Sequence, residues 1–101
     1  MVDRLKVIYL PMGGNPFEVE IDRKLEDFKR LVGGYFDYVM ADANNAMVYN
    51  ADAEGQINFT YKGMKVCGDV FFVGYPSGRK VWTDTTLTVA DINRLIERGK
   101  T

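Results

Sequence analysis

The segment Val70-Phe71-Phe72-Val73-Gly74-Tyr75 is the feature that most limits the folds open to this chain. β-Branched and aromatic residues fill it, Gly68-Asp69 leads into it, and Pro76-Ser77-Gly78 turns the chain out of it toward Lys80-Val81-Trp82, so it reads as the strongest strand of the sequence. Other strands surround it. Leu5 to Leu10 is β-branched and aromatic and ends at Pro11, while Phe17-Glu18-Val19-Glu20-Ile21 alternates apolar and acidic residues as a half-buried strand does. Tyr35 to Met40 and Ala46 to Asn50 flank the polar turn Asp42-Ala43-Asn44-Asn45 and read as a hairpin. Ile57 to Tyr61 is a shorter strand after the Asp52-Ala53-Glu54-Gly55 turn, and residues 62–67 show no assignable pattern.

Two stretches have helical spacing. Leu25, Phe28, Leu31 and Val32 define a helix over about 22–32, with Asp22 as its cap, Glu26 and Arg30 paired outside, and Gly33 as a left-handed stop. Thr88-Val89-Ala90-Asp91 resembles a capping box and opens a helix over about 88–98 through Ile92, Leu95 and Ile96, which ends at Gly99. The element order predicts an α+β fold: a mainly antiparallel twisted sheet with the two helices packed on one face. With 101 residues the chain has enough material for one core, so residues 1–101 are expected to form a single domain. Tyr38 with Met40, Met47 with Tyr49, and Phe71 with Val73 and Tyr75 make both sheet faces apolar. A surplus apolar face predicts either coiling into a half-barrel or, preferably, a homodimer or higher homo-oligomer.

Charge and composition exclude several roles. Thirteen basic against fourteen acidic side chains give a net charge of −1, and the pairs Arg23-Lys24, Lys29-Arg30 and Arg79-Lys80 form no basic stripe, which argues against a nucleic-acid partner. The single cysteine, Cys67, allows no internal disulfide. No apolar run reaches a membrane span of about 20 residues, and Met1-Val2-Asp3-Arg4 lacks a signal-peptide core. A cytoplasmic protein without membrane contact is expected, in which the Asn58-Phe59-Thr60 sequon has no meaning.

The chain has no histidine and one serine, Ser77, so nucleophile–base triads are excluded, and Cys67 reads as a structural thiol. Glu18 and Glu20 share one side of their strand, but it is the solvated side. Asn50-Ala51-Asp52-Ala53-Glu54-Gly55 matches the start of a calcium loop and fails at its twelfth position, Tyr61, so it reads as a turn. No catalytic residue, metal or cofactor is expected. Two segments are candidates for ligand binding. Gly13, Gly14 and Asn15 could cradle an anion with backbone amides, and Arg79, Lys80 and Trp82 would suit an anion that also carries a planar ring.

Leu31-Val32-Gly33-Gly34-Tyr35-Phe36-Asp37, Val48-Tyr49-Asn50 with Glu54-Gly55, Gly68-Asp69-Val70 with Val73-Gly74, and the closing Leu87-Thr88 helix together resemble the family called domain of unknown function 3846. In this chain Asn50 to Gly55 is longer than the asparagine-glutamate-glycine turn expected there. The resemblance implies a small protein of phages and mobile elements, acting in the bacterial host cytoplasm, where such proteins often counter host defences; it supplies no catalytic residues. The expectation is therefore a non-enzymatic binding protein that sequesters a small anionic nucleotide signal. The alternatives are an inhibitor of a host defence protein, a metal-dependent nucleotide-processing enzyme, and a structural phage protein.

Overall fold

The structure, a computed structural model, describes residues 4–55, 57–61, 64–79 and 81–95. Its elements run β1 (Arg4–Leu10), β2 (Phe17–Asp22), α1 (Leu25–Val32), β3 (Phe36–Met40), β4 (Asn45–Asn50), β5 (Ile57–Tyr61), β6 (Met64–Cys67), β7 (Val70–Gly74) and α2 (Val89–Leu95). Five strands form one sheet in the order β2-β1-β7-β4-β3, with every neighbouring pair antiparallel, and β5 and β6 pair as a separate hairpin. The fold is α+β. The segment 64–67, without a pattern in the sequence, supplies β6, and beyond β7 Thr83 forms an isolated bridge with Gly74.

β7 is central, and all five of its residues are buried. Alternation sends Phe71 and Val73 to one face, where they meet Leu5, Val7, Val48 and the α1 residues Phe28 and Val32. Val70 and Phe72 point the other way, against Ile8, Leu10 and Met47, and are covered by Phe59, Tyr61 and Val66 of the β5–β6 hairpin and by Ile92 of α2. The two helices therefore lie on opposite faces, not on one as expected. The reason is area: the hairpin brings three large side chains to the second face, so α2 needs to seal only part of it. The apolar surplus that suggested self-association is largely buried within the chain, by this hairpin and not by closure of the sheet.

Because β7 is apolar on both faces, a one-residue slip would exchange one buried set for another and cost little hydrophobic energy. Its end is fixed by Gly74. Residues 83–85 cross beside it: Gly74 and Thr83 exchange both backbone hydrogen bonds (2.9 and 2.8 Å), and Thr85 donates to the Lys6 carbonyl (2.9 Å). A Cβ on Gly74 would stand 2.2 Å from both the Asp84 carbonyl oxygen and the Thr83 hydroxyl, and 2.8 Å from the Thr83 carbonyl. Gly74→Ala is expected to cost roughly 1–3 kcal/mol through overpacking, read as a lower urea midpoint with an unchanged slope.

The helix ends divide. Gly33 sits at φ 84° and its N–H donates to Lys29 O at 2.8 Å, the left-handed stop that the sequence predicts. Thr88 and Asp91 close the capping box reciprocally, Thr88 N–H to the Asp91 carboxylate at 2.9 Å and Asp91 N–H to the Thr88 hydroxyl at 3.2 Å. The Thr88 N–H, and after it the Thr88 hydroxyl, hold the Asp91 carboxyl below its ordinary range. Asp22, by contrast, ends β2 and is no cap: Lys24 occupies that position without a side-chain bond, and the Asp27 carboxylate accepts the Asp22 N–H at 3.0 Å. Arg30 pairs with Asp27 at 3.0 Å. Ile96 and the end expected at Gly99 lie outside the described residues.

Candidate functional site: an aromatic cleft at the end of β7

α1 spans eight residues and leaves one end of its sheet face without a helix above it. Aromatic side chains cover that end. In β3, Tyr38 sits opposite Val48 of β4, which sits opposite Phe71 of β7, so Tyr38 and Phe71 share the α1 face. Tyr75, four residues beyond Phe71, keeps the same parity, and its N–H donates to the Asn44 carbonyl at 2.8 Å, extending the pairing past the end of β7. Trp82 returns over this edge. Its ring lies 4.4 Å from that of Tyr75, 5.4 Å from Tyr38 and 5.0 Å from Phe28, and the Arg23 guanidinium donates to its carbonyl.

A cleft of about 280 Å³ opens beside these rings, lined by Tyr38, Met40, Tyr75, Pro76, Ser77 and Gly78. Its rim is a tight turn. Arg79 N–H donates to Pro76 O at 3.2 Å, Gly78 takes φ 83° at the third position, and Ser77 N–H donates to Ala43 O at 2.8 Å, tying the rim to the β3–β4 turn. The arrangement joins π-faces, a thioether and a rim ending in the exposed Arg79. It can stack a planar ring and offer a cation to an attached anion.

The structure separates the two segments singled out as ligand-binding. Leu10 pairs with Val70 and Thr83 with Gly74, so the Gly13, Gly14 and Asn15 loop and the Arg79–Trp82 region lie at opposite ends of β7, about 13 Å apart along the strand. Part of the loop's donor set is already used: Gly14 N–H donates to Pro11 O (3.1 Å) and Met12 N–H to the Asp69 carboxylate (2.7 Å). Trp82 is half-buried beside the cleft, Arg79 is exposed on its rim, and Lys80 lies outside the described residues. Tyr38, Tyr75 and Met40 complete the site; the sequence signal for them was shared strand parity, which marked them only as apolar sheet residues.

Asp69 also accepts the Tyr9 hydroxyl at 2.9 Å, locking the loop to β1. Burial, this hydrogen bond and the Asp69 charge push the Tyr9 phenol from 10.0 up to about 12. The folded state therefore holds the phenolic proton more tightly than the unfolded chain does. The stabilisation is complete below about pH 10 and is lost as pH rises toward about 12. Tyr9→Phe should flatten that alkaline decline in a denaturant titration while lowering stability at neutral pH.

A second cleft, about 440 Å³, lies against α2 and is lined by Ala41, Asp42, Thr86, Leu87, Asp91, Arg94 and Leu95. It has two carboxylates to one guanidinium, and Arg94 is already bonded to Asp91, so it suits an anion less well than the aromatic cleft. Among the described residues no three His, Cys, Asp or Glu side chains gather as a metal site, and no helix is long and apolar enough to cross a membrane.

An open antiparallel sheet, faced by one helix on one side and by a hairpin and a second helix on the other, defines a small α+β domain with an aromatic cleft at one sheet end. The chain belongs to the family described as "Domain of unknown function (DUF3846)", whose model matches residues 5–99. No curated protein and no solved structure matches it. Several residues that carry the family resemblance make structural stitches: Asn50 donates to the Val32 carbonyl at the end of α1 (3.0 Å), close against Gly34, and Asp69 holds Tyr9 and Met12.

Proposed function

We propose that the protein is a non-enzymatic binding domain whose aromatic cleft takes a small anionic nucleotide, and that in a phage or mobile-element setting it counters host defence by sequestering such a signal. The observation that carries this reading is the meeting of Tyr38, Tyr75 and Trp82 beside a rim that ends in Arg79. A base stacked on an aromatic ring contributes about 1–3 kcal/mol whatever its identity. A volume of about 280 Å³ lies at the small end of ligand pockets, which start near 300 Å³. Composition supports binding over catalysis, since a chain without histidine and with a lone serine has few ways to move a proton at neutral pH.

Thermal unfolding with a panel of mono-, di- and cyclic nucleotides tests this. A ligand at a hundred times its Kd adds about 2.7 kcal/mol, or roughly 10–20 °C for a domain of this size. Tyr75→Ala should remove the shift, and the nucleotide should be recovered intact after denaturation. Chelator-sensitive turnover would instead support the metal-dependent enzyme, and no shift across the panel would support the inhibitor of a defence protein.

A further inference from the structure

β3 and β2 are the two edges of the sheet, and they are defended differently. β2 carries Glu18, Glu20 and Asp22, so a second β2 laid against it would set carboxylates against carboxylates. β3 reads Phe36-Asp37-Tyr38-Val39-Met40, with one charge, and Tyr38 and Met40 are both 37% exposed. Ala41 N–H donates to Asn45 O and Ala51 N–H to Tyr35 O, which places the odd-numbered residues of this strand in the hydrogen-bonded pairs with β4. By alternation the backbone groups of Phe36, Tyr38 and Met40 point away from β4. At the centre, the Tyr38 N–H is held by the carboxylate of Asp37 at 2.8 Å.

We infer that β3 pairs antiparallel with β3 of a second copy about a two-fold axis at Tyr38, so that the aromatic cleft is completed by both chains. In this register Tyr38 meets Tyr38, Phe36 meets Met40 and Asp37 meets Val39, so no two like charges are directly opposite. The three outward residues of each strand exchange their backbone hydrogen bonds, and the Tyr38 carbonyl of the second copy replaces Asp37 as acceptor. Two five-stranded sheets become one of ten strands, an isologous contact. A neighbouring strand lies about 4.8 Å away, which brings Tyr38 and Phe36 of the second copy alongside Tyr38 and Met40, two of the residues lining the cleft. The pairing itself rests on the edge; its value to the ligand rests on the proposed nucleotide site.

Light scattering on the ligand-free protein at micromolar concentration tests the pairing. The expected mass is twice the 11.5 kDa chain. Tyr38→Lys and Tyr38→Glu each set like charges face to face at the axis and should each run at the single-chain mass, whereas an equimolar mixture of the two should recover the double mass. Circular dichroism checks that both variants are folded, so that loss of the double mass is not loss of the fold. Tyr75→Ala, in the cleft but off the edge, should stay dimeric. A monomeric wild-type protein, or charge variants that remain dimeric alone, would overturn the inference; the first result would leave the edge to a strand from another protein. A dimer that ignores every nucleotide would sink only the ligand reading, and a monomer that binds one would sink only the pairing.

Discussion

Asn45→Ala is expected to destabilise the protein by roughly 2–4 kcal/mol, lowering Tm by about 10–20 °C. Asn45 opens β4 and is fully buried, and every polar atom of its side chain is used. Its amide nitrogen donates to the Thr86 hydroxyl at 2.9 Å and to the Asp42 carboxylate at 3.0 and 3.2 Å; its oxygen accepts the Thr85 hydroxyl at 2.7 Å and the Thr86 N–H at 3.1 Å. One residue thus joins the β3–β4 turn to the segment that leads into α2. Truncation leaves the buried Thr85 hydroxyl without its acceptor and unties the Thr85–Thr86 end of the strap, whose backbone bonds to Gly74 and Lys6 remain. Thr86→Val removes one acceptor only and should cost about 0.5–1.5 kcal/mol. In the double variant the two losses should not add, because both act on one network. Urea titration of the four proteins measures this, and additive losses would mean that Asn45 acts through backbone conformation instead.

Asn45 also marks where the sequence stops being informative. Asp42-Ala43-Asn44-Asn45 has the composition of an exposed turn, and its first three residues are exposed. The fourth is buried because its partners are Thr85 and Thr86, about 40 residues away, and no local pattern encodes that meeting. The same limit applied to the helices. Spacing grouped Leu25, Phe28, Leu31 and Val32 on one side of α1, where Phe28 and Val32 are buried but Leu25 is exposed, and it put Ile92 on the buried side of α2; the period of a helix says nothing about which face of a sheet it will cover. Features set by near neighbours were legible: the stop at Gly33, the Thr88–Asp91 box, and the solvated Glu18 and Glu20. Asp22 misled because it has the right chemistry for a cap two residues too early, where β2 still claims it. In the site, Trp82 and Arg79 were visible as a stacking ring near a cation. Tyr38 and Tyr75 reach Trp82 only through the register of β3, β4 and β7.

Phe28→Ala should have an effect that reaches from the core to the cleft. Phe28 is 1% exposed and holds its ring edge-to-face against Phe36 at 5.5 Å, Phe71 at 5.0 Å and Trp82 at 5.0 Å. Removing it costs about 3–5 kcal/mol in lost transfer energy and cavity, including the aromatic pairs of about 0.5–1.5 kcal/mol each. Trp82 rests on that ring from the cleft side, so the cavity opens beneath the indole. Tyr38 and Tyr75 lean on the indole in turn, and the stacking surface loosens although Phe28 itself does not line the cleft. Trp82 is the chain's one tryptophan, so its fluorescence reports on this directly. The folded Phe28→Ala protein should show emission shifted to longer wavelength, together with a lower urea midpoint and weaker nucleotide stabilisation. Phe28→Leu fills most of the space and should shift the emission less. Unshifted emission in a destabilised Phe28→Ala protein would mean that the Thr83–Gly74 bridge and Arg23 hold the indole without the core beneath it. The cleft would then be a rigid feature of the strap and not an outgrowth of the α1 layer.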